Sequence, residues 1–228
     1  MIEFKGVRKQ YDHGVTALDD INLKINKGEF VFIEGPSGSG KSTFLKLLIK
    51  EEDVTSGSIV VAGQEVNKLK DKEIPYFRRK MGFVFQDFRL LYDRTVYENI
   101  AFALHVVESS EREIKRQIPL VIDMVGLKGR EYNYPNQLSG GEQQRIALAR
   151  AIVTNPPIII ADEPTGNLDA ETARGIMDML LEVNKKGTTV IVVSHDRNLI
   201  AQAGKRVISM KKGRIVNDTA NSQVGGIM

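Results

Sequence analysis

The chain is 228 residues long, 42% apolar and 27% charged, with a net charge of +3 and no cysteine. That balance belongs to a packed globular domain and excludes a disordered or fibrous chain, and the absence of thiols excludes disulfides and thiolate metal sites. No apolar stretch reaches the roughly 18 residues of a membrane helix, the charged start at 1–14 lacks the core of a secretory signal, and so small an excess of charge gives no expectation of nucleic acid as a partner.

Ile2 and Phe4, then Ile21, Leu23 and Ile25, alternate with polar neighbours at the period of a strand. A turn at Lys27-Gly28 precedes the apolar run 30–33, which suits a buried strand. A glycine-rich loop follows, and 42–50 reads as a helix; further strands are expected at 58–62 and 82–85. The middle of the chain is helical. Thr95 with Glu98 and Ser110 with Glu113 have capping-box spacing, and Ile114, Ile118, Ile122 and Val125 recur at helical intervals. Ser139 with Glu142 opens another helix to about residue 154, which Pro156-Pro157 ends. Strand 158–161, helix 170–186 and strand 188–194 then alternate, so the sheet is expected to be mostly parallel and covered on both faces. Residues 207–216 around Lys212-Gly213 read as a hairpin and the polar tail from Asn217 as frayed. His13 and His105 sit in no functional setting.

Gly35-Pro36-Ser37-Gly38-Ser39-Gly40-Lys41-Ser42 fits G-x-x-x-x-G-K-S between a predicted strand and a predicted helix. Glycines let successive N–H groups turn toward an anion, and the helix start adds its dipole and unpaired donors. Lys41 supplies a cation to the β- and γ-phosphates, Ser42 a hydroxyl for Mg²⁺, and Thr43 completes the loop. The reading is a nucleoside triphosphate bound with magnesium. At the end of the buried run 158–161, Asp162 is placed to hold that ion and Glu163, expected on the opposite side of the pleat, to polarise the attacking water. Leu138-Ser139-Gly140-Gly141-Glu142-Gln143 opens a second helix with two glycines in its first turn. A purely structural cap would need neither, so another anion is expected there.

In this order the motifs resemble the ATPase subunits of ABC transporters over about residues 2–216. The resemblance implies an α/β P-loop NTPase of that family's type. Its mostly parallel core and antiparallel β lobe would occupy 1–86 and 156–216 of a single domain, and its helical signature subdomain 87–155. It implies ATP and Mg²⁺ as ligands and gives residues their roles. Tyr11 stacks on adenine, the alternative being partial core. Gln86 senses Mg²⁺ and the attacking water. Ser139, Gly140, Gly141 and Glu142 belong to the family signature. Asp162 holds Mg²⁺, Glu163 is the catalytic base, and His195 contacts the γ-phosphate. Asp169 crosses the dimer interface and is placed to cap the next helix as well. Because the family signature acts in trans, one phosphate loop and one signature make two half-sites, which implies a homodimer closed by ATP and opened by hydrolysis.

Residues 85–99 and 142–169 resemble the branch of that family that works on a membrane subunit instead of carrying a solute. Segment 88–96 is most like its cell-division type, although Tyr92 stands where that type commonly has proline; lipoprotein-releasing and macrolide-type exporters are the alternative. The resemblance implies an integral membrane partner, a peripheral location on the cytoplasmic face of the cell membrane, and control of cell-wall hydrolysis. Phe88, Leu90, Leu91 and Tyr92, bordered by Arg89, Asp93 and Arg94, are expected as an exposed docking groove, the alternative being ordinary core.

Overall fold

The computed structural model describes residues 1–12 and 14–222, so the readings of His13 and of the tail past 222 lie outside the described residues. The chain begins β1 (Ile2–Gln10), β2 (Thr16–Ile25), β3 (Phe30–Glu34), α1 (Lys41–Leu48), β4 (Ser56–Val61), β5 (Gln64–Glu65) and α2 (Ile74–Arg78). It continues β6 (Met81–Val84), α3 (Val96–Val106), α4 (Glu111–Met124), α5 (Gly140–Ile152), β7 (Ile158–Asp162), α6 (Ala170–Lys185) and β8 (Thr189–Val193). It closes with α7 (Arg197–Ala203), β9 (Arg206–Lys211), β10 (Arg214–Asp218) and α8 (Thr219–Ser222). These divide into two compact units: Met1–Arg78 with the described part of Val193–Met228, and Arg79–Val192.

In the first unit an antiparallel sheet ordered β2-β1-β4-β5 forms a lobe. Ile2, Phe4 and Val7 are all buried, although a period of two would turn Val7 outward. The register shifts between Phe4 and Val7, where Gly6 has a φ of 54°, and the bulge brings Val7 back inward. Phe4 stacks on Phe44 of α1 with ring centroids 4.4 Å apart, which anchors that helix to the lobe. β3 runs parallel to β9, and β10 lies antiparallel beyond it. Residues 30–33 of β3 are all buried, which is why this strand is an unbroken apolar run.

The tail from Asn217 is not frayed as far as it is described. Asn217 and Asp218 finish β10. Arg206 donates to both Asp218 carboxylate oxygens at 2.9 and 2.7 Å and to Glu29 at 2.8 Å. A paired carboxylate gives this polar stretch an anchor that its composition hides.

In the second unit β8, β7 and β6 are neighbours in that order, with β6 parallel to β7. All the expected capping boxes form. The hydroxyls of Thr95, Ser110 and Ser139 accept from the N–H groups of Glu98, Glu113 and Glu142, whose carboxylates return to the cap backbone. Ile114, Ile118 and Ile122 are buried on one face of α4, as their spacing requires. α5 sits directly on β6: a Cβ at Gly82 would overlap the carbonyl oxygen of Ala151, so only glycine permits this approach.

Helices α2, α7 and α8 and the short strand β5 are not among the elements expected from the sequence. α7 had a readable start and stop. Asp196 accepts from Asn198 N and Leu199 N at 2.9 and 3.1 Å, and Gly204 closes the helix with a φ of 58°. α2 is a five-residue helix with only Phe77 buried, too short to show a period. Among the described residues no helix is long and apolar enough to cross a membrane.

Candidate active site

β3 delivers the chain into the glycine-rich loop and α1 carries it out. Gly35, Gly38 and Gly40 take φ values of 153°, 74° and 105°, a region side chains avoid. At Gly40 the need is also steric, since a Cβ would lie 2.6 Å from the Ala17 carbonyl oxygen and 2.7 Å from Leu18 Cδ2. The loop is braced from the β9–β10 turn, where Gly213 N donates to Ser39 O at 3.0 Å while Asp19 N donates to Gly213 O at 2.8 Å. α1 begins without a side-chain cap. Its first N–H groups and its dipole therefore remain for an anion. Lys41 Nζ donates to the carbonyl oxygens of Gly35 at 2.6 Å and Pro36 at 3.1 Å, which holds the ammonium inside the curve of the loop. Ser42 is exposed and Tyr11 half-buried. The Tyr11 hydroxyl is 3.4 Å from Thr43 Oγ1, and Lys9 Nζ lies 4.9 Å from the ring centroid.

His195 is exposed between β8 and α7. Its neighbour Ser194 is buried, donates its N–H to Ile33 O at 3.2 Å, and accepts from Asp196 N at 3.1 Å. The strand that enters the phosphate loop thus also fixes the base of the His195 segment.

The second unit holds the remaining residues. Gln86 is exposed just beyond β6, and Asp162 is the half-buried last residue of β7. The expectation that the pleat turns Glu163 to the opposite side does not hold. β7 stops at Asp162, and Glu163 has a φ of 46°, so the backbone leaves the strand there. A turn follows, with Gly166 N donating to Glu163 O at 3.2 Å. Such left-handed backbone at a non-glycine residue costs about 1–3 kcal/mol and persists only where its surroundings hold it.

Ser139 Oγ accepts from Glu142 N at 3.3 Å and donates to Glu142 Oε2 at 2.9 Å, and the Ser139 N–H reaches the same oxygen at 2.9 Å. That backbone donor, above all, holds the Glu142 carboxyl below its ordinary value. The two glycines after Ser139 differ. A Cβ at Gly140 would meet nothing within 4 Å, whereas one at Gly141 would lie 2.6 Å from Thr172 Cγ2. Gly141 therefore has a packing reason of its own, which corrects the view that structure needs neither glycine. Thr172 is in turn held by Asp169, which caps α6 by accepting from Glu171 N, Thr172 N and Thr172 Oγ1 at 3.1, 3.0 and 2.6 Å. The Thr172 hydroxyl is the main reason the Asp169 carboxyl sits below its ordinary value.

The segment after Gln86 is not the exposed apolar run expected. Leu90 is 7% exposed and belongs to the core, while Tyr92 is 54% exposed. The fully buried Asn99 draws the segment inward: its side chain accepts from Leu91 N at 2.9 Å and donates to Leu91 O, Arg94 O and Thr95 O at 2.9, 3.1 and 3.0 Å. Arg150 of α5 donates to Phe88 O and Arg89 O at 2.9 and 2.6 Å, and burial holds its guanidinium below the ordinary value. Gln144 of α5, 1% exposed, donates from Nε2 to Pro164 O at 2.7 Å. Sequence reasoning passed over Asn99, Gln144 and Arg150. The signal was there for the first two: a polar residue on the apolar face of a helix.

Residues 18–166 match the family model described as ABC transporter, and the chain belongs to that family as an ATP-binding, ATP-hydrolysing cassette. It is 50% identical to the cell division ATP-binding protein FtsE of Mycobacterium tuberculosis (strain H37Rv), over 99% of this chain and 98% of that protein. The identity to FtsE of Bacillus subtilis (strain 168) is 48%, over 99% of each. Among solved structures, the dimeric, post-hydrolysis ATP-binding cassette MJ0796 bound to ADP and Pi superposes with a TM-score of 0.87 at 41% identity, over 96% of this chain and 97% of that one. CbiO1 of Clostridium perfringens, part of an ABC transporter complex, gives 0.88 at 29% identity, over 98% and 92%. The expected fold, a P-loop ABC ATPase with an antiparallel β lobe, is the one present.

Proposed function

We propose that this chain is the ATPase subunit of a membrane complex of the FtsE type. It would dimerise on binding ATP and work with an integral membrane subunit resembling FtsX, at the cytoplasmic face of the membrane, in controlling cell-wall hydrolases during division. The observation that carries this reading is the 48–50% identity to FtsE proteins over nearly their whole length.

The roles follow from the chemistry at each position. The loop 35–43 wraps the triphosphate, with Lys41 moving from the Gly35 and Pro36 carbonyls to the β- and γ-phosphates, and Tyr11 stacks on adenine. The donors at Ser42, Gln86 and Asp162 are a hydroxyl, an amide and a carboxylate, an all-oxygen set that fits Mg²⁺. That ion neutralises phosphate charge when bound. Glu163 takes the proton of the attacking water, and His195 contacts the γ-phosphate. Ser139, Gly140, Gly141 and Glu142 meet the nucleotide held by a second copy, and Asp169 lies at that interface. Residues 87–155 act as the signature subdomain, and 1–86 with 156–216 as the catalytic core.

The test is to purify the tagged chain from detergent-solubilised membranes of its own cells, identify the integral protein that accompanies it, and assay the complex with Mg²⁺ and with a chelator. An FtsX-type subunit and hydrolysis that stops with the chelator are expected. A lipoprotein-releasing or export permease in its place would overturn the cell-division reading. Hydrolysis undiminished by the chelator would overturn the magnesium assignment.

A further inference from the structure

In the second unit the non-glycine residues with left-handed backbone are Phe88, Arg89, Glu108, Asn155 and Glu163. Glu108 and Asn155 follow the ends of α3 and α5, ordinary places for that conformation. The other three stand where α5 reaches out with a side chain: the half-buried Arg150 to the carbonyls of Phe88 and Arg89, and the buried Gln144 to the carbonyl of Pro164, one residue past Glu163.

Gln144 is the costlier of the two donors. It occupies a core position on the α5 face it shares with Ala147, Leu148 and Ala151, and among the described residues its buried Oε1 has no hydrogen-bond partner. An amide half-satisfied in the core costs folding free energy, and a methionine of the same length would exchange that cost for an unpaired Pro164 carbonyl, leaving stability about level. Its Nε2, however, fixes the direction of the Pro164 carbonyl while Gly166 N fixes that of Glu163. With the proline ring restricting its own φ, the turn is held immediately after the strained residue, and β7 fixes the chain just before it.

We propose that Gln144 is the positioning residue for the Glu163 carboxylate, keeping it aimed at the attacking water. The proposal rests on the reading of Glu163 as the base. Gln144→Met keeps the length and removes the donor. Because misplacing a reacting group by about 1 Å can cost up to a hundredfold, kcat should fall about 10–100-fold while KM for ATP and the thermal midpoint stay near parental. In a Glu163→Gln background the same substitution should change the residual rate by less than about twofold, since a residue acting through another has nothing left to position. Nucleotide titration reports the folded fraction of each variant, and rates are taken per folded site. Parental kcat in Gln144→Met, or an equal fold-loss in both backgrounds, overturns the positioning role alone. Parental kcat in Glu163→Gln by itself overturns the base assignment and the proposal with it.

Discussion

Alanine at Gly141 would place a methyl carbon 2.6 Å from Thr172 Cγ2, about 1 Å inside the roughly 3.5–4.0 Å at which carbon atoms rest. Thr172 cannot swing aside, because its hydroxyl is 2.6 Å from Asp169 Oδ2 and a β-branched side chain on a helix has little χ1 freedom. Overpacking of this kind costs about 1–3 kcal/mol, and the gain from replacing a helical glycine returns up to about 1 kcal/mol. A net loss of about 1–2 kcal/mol is expected, or roughly 2–8 °C in Tm for a chain of this size. Gly140→Ala is the internal control: its methyl meets nothing, so only the gain applies and Tm should rise by up to about 4 °C. Thr172→Ser deletes Cγ2 and keeps the hydroxyl, so adding it to Gly141→Ala should restore most of the loss. Thermal unfolding of the nucleotide-free chain, followed by circular dichroism, measures the parent and these three variants. If Gly141→Ala is no less stable than Gly140→Ala, or if Thr172→Ser lowers the double variant further, the clash is not what the glycine avoids. On the proposed role of the signature helix, hydrolysis should move the other way at position 140, because the added methyl would shield the N–H groups at the helix start and make a more stable protein a slower one.

Glu163→Gln should lose about 10²–10⁴-fold in rate and accumulate as an ATP-bound dimer by light scattering; a monomer at saturating ATP would refute this. Mixing two inactive chains, Lys41→Ala and Ser139→Arg, should restore part of the activity, because a heterodimer then has one intact composite site; no recovery in proven heterodimers would place the signature in cis. Asn99→Leu removes four hydrogen bonds to the segment after Gln86 and should cost about 2–4 kcal/mol in urea unfolding; no change would mean that the segment holds itself. The Asp218 carboxyl is held below its ordinary value, chiefly by its hydrogen bond from Arg206. Its stabilisation is therefore complete above about pH 4 and disappears as pH falls through the lowered value. Asp218→Asn should be less stable than the parent at pH 7, and its stability should decline less between pH 5 and pH 2; parallel curves would deny the pair that role.

What the sequence reveals and what it hides divides by distance along the chain. The capping boxes at Thr95, Ser110 and Ser139 join residues three apart, and the phosphate loop keeps its chemistry within eight consecutive residues, so both are legible. Gln144 reaches across 20 positions and Arg150 across 62, and no local pattern encodes such reach. The misreading at Gly141 has the same origin, since its reason sits on another helix. Leu90 was misplaced by the rule that loops lie at the surface, which Asn99 defeats by satisfying the segment's backbone from within. Glu163 was misplaced by continuing a strand's alternation one residue past its end.

The contact of Gly82 with Ala151 has a mechanical meaning. Where helices rest on strands through side chains, rotamer changes and small slides can absorb a displacement. Here backbone rests on backbone, and no such cushion lies between them. β6 and α5 therefore travel as one piece. The leading end of that piece is Ser139, which caps α5, and where β6 gives out the chain runs on to Gln86. A displacement of one is handed on to the other, so the glycine serves as a rivet between the helix that Ser139 caps and the strand that leads to Gln86.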